Sequence, residues 1–146
     1  FKQIANDSIR LHVYGDINQD QEYGDYIKRI SKNDKRISIM GKYENKDEGK
    51  IHATLNCVVV PSIVFETFSL TAAASLAYGV PIIAPDLSGT NEMIINGKYG
   101  HIYKFLYIKG LRDMIIERSK IVSQPSFSST TVGQEQEAVK THKHAS

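Results

Sequence analysis

Short apolar runs alternate with longer amphipathic stretches along this chain. Ile9-Arg10-Leu11-His12-Val13-Tyr14 alternates and stops at Gly15-Asp16, predicting a strand closed by a turn. Tyr23, Tyr26, Ile27 and Ile30 recur at helical spacing, predicting an amphipathic helix with a charged outer face. Arg36-Ile37-Ser38-Ile39-Met40, closed by Gly41, reads as a second strand. Residues 45–56 read as a helix, with Ile51 and Leu55 on one face. Asp47 and Glu48 fall in its first turn, where the helix dipole favours them. Cys57-Val58-Val59-Val60-Pro61 is an unbroken apolar run, the mark of a strand covered on both faces.

Residues 69–78 form an Ala-rich helix (Ala72, Ala73, Ala74, Ala77) ending at Gly79, a residue suited to the position just past a helix. Val80-Pro81-Ile82-Ile83-Ala84-Pro85 is the next buried strand, with Pro81 at its start. A short helix at 91–95 stops at Asn96-Gly97. His101-Ile102-Tyr103 is the last strand, and 107–122 a longer helix with Ile108, Leu111, Ile115 and Val122 inward. This alternation predicts an α/β fold with an open, mostly parallel, doubly wound sheet of Rossmann-like kind. In such sheets ligands lie beyond the carboxyl ends of the strands, so the turns after Tyr14, Met40, Val60 and Ala84 form the expected functional rim. Residues 1–122 are expected to be one domain. Residues 123–146, rich in Ser, Thr and Gln, read as a tail of loop, frayed helix or disorder.

Composition narrows the function classes. With 18 Lys plus Arg against 16 Asp plus Glu, the net charge of +2 is too balanced for a nucleic-acid binder. The single cysteine, Cys57, excludes an intramolecular disulfide and a cysteine zinc cluster, and reads as a small buried hydrophobe. His12, His52, His101, His142 and His144 show no ligand spacing beyond His142-x-His144, so no metal site is expected. No Gly-x-Gly-x-x-Gly or P-loop pattern is present. No run approaches the length of a membrane span. Lys28, Arg29, Lys32, Lys35 and Arg36 cluster around one helix and its following turn. They read first as a solvated face, and second as a weak contact with anionic lipid. Phe1-Lys2-Gln3-Ile4-Ala5-Asn6 has no initiator Met and no signal-peptide layout. It reads as the end of a helix begun earlier, so the chain is expected to be a piece of a longer protein.

The segment from Pro61 to Ala84 concentrates the candidate chemistry. A buried strand runs into a loop holding Glu66, and a small-residue helix follows. The free N–H groups expected at Thr67, Phe68, Ser69 and Leu70 would carry about half a positive charge, a seat for phosphate. Glu66 stands just before them, placed to accept hydrogen bonds from ligand hydroxyls.

This segment resembles the signature region of the family-4 glycosyltransferases of the GT-B fold. The resemblance rests on Pro61-Ser62, Glu66-Thr67-Phe68-Ser69-Leu70 and Gly79-Val80-Pro81-Ile82-Ile83-Ala84. Ser88-Gly89-Thr90-Asn91-Glu92-Met93-Ile94 and Asn96-Gly97-x-x-Gly100 follow in the same order. Upstream, Leu11-His12-Val13-Tyr14-Gly15-Asp16 is similar to the strand and glycine turn of the same domain. The likeness spans about residues 1–104 and implies the C-terminal, donor-binding half of the GT-B fold.

The resemblance implies roles. Glu66 would contact hydroxyls of the donor sugar, without acting as the general base. The backbone of Thr67, Phe68, Ser69 and Leu70 would hold the diphosphate and sugar. Gly41, Lys42 and Tyr43 would border the nucleotide base, largely through main chain. It further implies retention at the anomeric carbon, no cofactor and no metal. The donor would be a nucleotide-diphosphate sugar, and the acceptor a hydroxyl in polysaccharide or glycolipid synthesis. The place of action would be cytoplasmic, at or near the inner face of the membrane.

Two departures stand out. The second glutamate of the pattern, which holds the ribose hydroxyls, is replaced by Ala74. A charge-assisted contact of roughly 1.5–3 kcal/mol goes with it, about tenfold to a hundredfold in donor affinity. The basic residues that clamp the diphosphate, and the acceptor-binding N-terminal domain, would lie before residue 1, leaving this piece inactive alone. Ala74 therefore keeps open a non-catalytic GT-B subunit that binds a protein or glycan. A sugar-nucleotide epimerase or phosphorylase-like enzyme on the same fold is a third reading.

Overall fold

The computed structural model describes residues 1–65, 67–87, 89–94 and 98–122. The tail at 123–146 lies outside the described residues, and His142 and His144 with it. The chain divides into two compact units, Phe1–Leu55 and Asn56–Ser146.

The first unit is a β-α-β element. Strand β1 (Leu11–Tyr14) and strand β2 (Ile37–Gly41) flank helix α1 (Gln21–Ser31). The strands pair in parallel, Leu11 against Ile37, with a register shift between Val13 and Tyr14 that sets Tyr14 against Gly41. Asp20 starts α1 by accepting a hydrogen bond from the Tyr23 amide at 2.9 Å, as a cap residue does.

The face α1 turns inward is not the expected one. Gly24 is buried, and a Cβ there would lie 2.2 Å from the Ile17 carbonyl oxygen. Ile27 and Ile30 are half-buried, whereas Tyr23 and Tyr26 stand exposed. The backbone of 17–18 comes so close to the helix that only a glycine fits between them, which rotates both tyrosines into solvent.

Phe1–Asn6 is not the end of a helix. Its Ile4 amide closes a turn on the Phe1 carbonyl at 2.8 Å, and the Ile4 side chain is buried. Arg36 ties this segment down: its guanidinium donates to the carbonyls of Ile4 and Asn6 and lies over the Phe1 ring. The same guanidinium forks onto Asp34 at 2.9 and 2.7 Å, holding that carboxyl down at about 2.

The helix expected over 45–56 is shorter. A single 3-10 turn (Asn45–Asp47) leads into α2 (Glu48–His52). Its buried residue is His52, whose Nδ1 lies 2.9 Å from the Glu48 carbonyl oxygen, while Ile51 and Leu55 are half-buried.

In the second unit, β3 (Val58–Val59), β4 (Ile82–Pro85) and β5 (Gly100–Tyr103) form a parallel sheet in that order. Helix α3 (Leu70–Ala77) joins the first pair, α4 (Thr90–Met93) lies between β4 and β5, and α5 (Ile108–Val122) follows. Every residue of β4 is buried, as a central parallel strand requires. Strand β3 is shorter than expected and half-buried, because it pairs on one side only within this sheet. Val60, Ala72, Ile82, Ala84 and Ile94 form the core, with Val58, Leu76, Met93 and Ile102 packed against them.

The link from α3 to β4 has a clear cause. Gly79 takes a left-handed conformation at φ +74° just past the helix. Ser75, fully buried, then donates its hydroxyl to the Val80 carbonyl at 2.8 Å, and the Val80 amide returns a bond to the Ser75 carbonyl at 2.9 Å.

Helix α5 departs from expectation at both ends. Ile108 is exposed, while Arg118 is buried, its Nε donating to the Asn56 carbonyl at 3.4 Å. Cys57 is half-buried. Burial pushes its thiol pKa up, against the opposing pull of the Arg118 cation. Among the described residues no helix is long and apolar enough to cross a membrane. The α/β class and the parallel strand pairing are as the sequence predicts.

Candidate functional site

The carboxyl ends of the strands carry the candidate residues in each unit. In the first unit, β1 is followed by Gly15 at φ +130° and β2 ends in Gly41 at φ +76°. Side chains rarely adopt these angles. The Gly15 amide donates to the Gly41 carbonyl at 2.9 Å, tying the two turns together. Lys42 follows and pairs with Asp16 at 2.8 Å. Its hydrogen bond, joined by one from the Asn18 amide at 3.0 Å, holds the Asp16 carboxyl below the usual carboxylate range. Tyr43 meets Tyr14 edge-on, ring centres 5.6 Å apart at 87°. Gly41, Lys42 and Tyr43 thus stand together with Tyr14, Gly15 and Asp16 on one rim. Lys42 and Tyr43 are both exposed.

In the second unit, the helix starts later than the sequence reading has it. Leu70 is its first residue and Ser69 its cap: the buried Ser69 hydroxyl accepts from the Ala72 amide at 3.3 Å. Ser69 is drawn in because its side chain substitutes for the missing turn of helix. Thr67 and Phe68 therefore precede the helix in irregular backbone, and of the four expected amides only that of Leu70 belongs to the first turn. Thr67, Phe68 and Leu70 are exposed. Glu66 lies outside the described residues, as do Ser88, Ile95, Asn96 and Gly97. Ala74 is half-buried on α3.

A crevice of about 500 Å³ opens beside this loop, lined by Phe65, Thr67, Asp86, Leu87, Gly89, Asn91 and Glu92. One wall is the chain leading into α3; the other is the turn leaving β4. The second wall is fixed by the Asp86 amide, which donates to the Tyr103 carbonyl at 2.7 Å. Asn91 donates its side-chain amide to the Asp86 carboxylate, while its own carbonyl oxygen is buried with no partner. Such an atom is costly to leave unsatisfied.

Asp86 and Asn91 escaped the sequence reading, since their meeting depends on how the turn after β4 folds back. The available signals were Asn91 in the motif from Ser88 to Ile94 and the turn-forming residues Asp86, Ser88 and Gly89 directly after a buried strand. Glu92 is exposed at the crevice edge. Among the described residues no group of three or more His, Cys, Asp and Glu side chains is placed to hold a metal ion.

Comparison with known proteins agrees with this fold. No curated protein sequence matches the chain. Among solved structures, a glycosyltransferase from Rickettsia africae ESF-5 matches 80% of this chain with a TM-score of 0.71 and 20% identity, over 31% of its own length. The lipopolysaccharide outer core galactosyltransferase WaaB, in its apo form, matches 79% with a TM-score of 0.64 and 22% identity, over 32% of its length. Anabaena Alr3699/HepE in complex with UDP matches 92% with a TM-score of 0.64 and 15% identity, over 41% of its length. The chain thus spans about a third to two fifths of these proteins, and the likeness is one of fold. The family described as glycosyl transferases group 1 matches residues 1–118, and this chain belongs to that family.

Proposed function

We propose that this chain is the donor-holding part of a retaining glycosyltransferase, moving a sugar from a nucleotide-diphosphate sugar to an acceptor hydroxyl in polysaccharide or glycolipid assembly. The observation that carries the reading is the crevice beside the loop that leads into the Ser69-capped helix α3, at the carboxyl edge of a parallel sheet. A departing nucleotide diphosphate is dianionic or more, and helix amides preorganised at such an edge stabilise that charge. Two related structures carry UDP and UDP-glucose by their descriptions, which supports a nucleotide sugar as ligand.

In this reading Glu66 orients the sugar hydroxyls, and the backbone from Thr67 to Leu70 holds sugar and diphosphate. Gly41, Lys42 and Tyr43 border the base. The acceptor domain and the basic clamp come from the remainder of a longer protein, acting in the cytoplasm at the membrane face. No cofactor takes part. The piece alone is inactive and binds nucleotide feebly.

Ala74 favours a second reading, a non-catalytic GT-B subunit that binds a protein or glycan. Calorimetric titration of the protein at its natural length with UDP and UDP-glucose, combined with turnover of Glu66→Ala, separates them. Binding of nucleotide, with turnover lost in a folded Glu66→Ala protein, supports the enzyme. Absence of both nucleotide binding and turnover in the folded protein overturns the donor-site assignment and supports the second reading, while nucleotide binding without turnover removes the enzyme reading alone. Ala74→Glu restores a ribose carboxylate and should tighten the donor about tenfold to a hundredfold.

A further inference from the structure

Helix α1 turns two tyrosines to solvent. Tyr23 and Tyr26 stand 59% and 46% exposed, where helical spacing predicts them inward. Their ring centres are 6.4 Å apart and their planes differ by 31°, so they form a nearly continuous aromatic strip. Arg29 lies over Tyr26 at 5.6 Å. Asp20, Glu22 and Asp25 complete the lining of a shallow crevice of about 580 Å³ that contains no aliphatic side chain. Asp20 caps the helix, and Asp25 accepts from Gln21 on both oxygens at 3.0 Å and pairs with Lys28 at 3.6 Å. Each carboxylate has about four acceptor positions and so keeps some in reserve.

The chemistry of this lining selects among ligands. The lining sets three carboxylates against one guanidinium, and that net negative charge disfavours nucleic acid. An acyl chain or an aliphatic peptide finds no apolar rim to exclude water around the rings, as a protein hot spot requires. A sugar ring matches both parts. Its C–H face packs on an aromatic ring, and its hydroxyls donate to carboxylates and accept from a guanidinium.

We propose that Tyr23 and Tyr26, with Glu22, Asp25 and Arg29 at their margins, form a binding platform for a neutral glycan, apart from the donor site. The two rings would carry adjacent sugar units of one chain. The site does not rest on the donor reading, since nothing in it belongs to the candidate residues of the strand ends.

Saturation-transfer NMR of the whole chain with maltoheptaose, cellohexaose and laminarihexaose tests this. At least one should receive saturation, and Tyr23→Ala/Tyr26→Ala should abolish it. Tyr23→Phe/Tyr26→Phe, which keeps the rings, should retain most of it. Both double variants should melt with the wild-type chain, because the side chains are exposed. Transfer to none of the three, or transfer unaffected by the alanine pair, overturns the proposal. So does sedimentation showing that the alanine pair turns a dimer into a monomer while no glycan binds, which would make the strip a contact between copies.

Discussion

Lys42 stands 2.8 Å from Asp16, so a charge pair joins the turn after β1 to the turn after β2. The Lys42 hydrogen bond is the largest cause of the depressed Asp16 pKa, followed by the Asn18 amide. Removing Lys42 should let the Asp16 pKa rise toward 3.8 without reaching it, since the Asn18 bond remains. Carboxyl-carbon NMR across a pH titration of Lys42→Ala reads this directly. The melting temperature at neutral pH should hardly move, because the Lys42 side chain is 72% exposed and solvent screens the pair. An unchanged Asp16 titration would mean that the pair does not persist in solution.

Asp34 should make the chain acid-sensitive in a defined window. Its carboxyl is lowered from 3.8 to about 2, chiefly by the hydrogen bond from Arg36. A carboxylate with a depressed folded pKa binds fewer protons folded than unfolded. Its contribution is therefore full above 3.8 and lost as pH falls toward 2. Denaturant titrations of wild type and Asp34→Asn should differ most above pH 4 and converge near pH 2. The lost contact also frees the guanidinium that holds Ile4 and Asn6, so amide exchange should quicken around those residues in the variant.

Ser75→Ala removes the hydroxyl bonded to the Val80 carbonyl at zero exposure. The Val80 carbonyl is left without that donor in the interior, at a cost of about 1–3 kcal/mol. The reciprocal backbone bond from Val80 to Ser75 survives, so the turn should weaken without rearranging. Urea unfolding should show a lower midpoint with an unchanged slope.

The legible parts of the fold were those encoded in local chemistry. Gly79 past the helix and the apolar run of β4 act on their immediate neighbours, and each stands where the pattern puts it. The errors arise where a distant backbone decides. Tyr23 and Gly24 sit on adjacent faces of one helix, and periodicity favours the larger side chain. The approach of Ile17 to Gly24 settles the matter the other way. The spacing on α5 turns Ile108, Leu111, Ile115 and Val122 inward, yet it is Arg118 that is buried, its Nε reaching the Asn56 carbonyl 62 positions back. The candidate site divides likewise. Thr67 was legible from the motif, while the Asp86–Asn91 pair across the crevice depends on a turn no spacing rule describes.

Gly100 and Gly15 separate two reasons for a glycine. Both hold positive φ, +153° and +130°, where a side chain is strained. Around Gly15 a Cβ meets nothing within 4 Å, so Gly15→Ala costs backbone strain alone, about 1–3 kcal/mol. At Gly100 a Cβ would fall 1.9 Å from the Ile82 carbonyl oxygen and 2.9 Å from the Ile82 nitrogen. Ile82 is its partner in the β4–β5 ladder, so relief requires the central strand of the sheet to move. Gly100→Ala should therefore cost more than about 4 kcal/mol, in the range reserved for core disruption. Purification and thermal unfolding of the two variants side by side provide the check. Gly15→Ala should fold with a lowered midpoint, and Gly100→Ala should fail to give a cooperative transition. Equal losses at the two positions would show that strain in φ, rather than closeness of the neighbouring strand, sets the requirement at both.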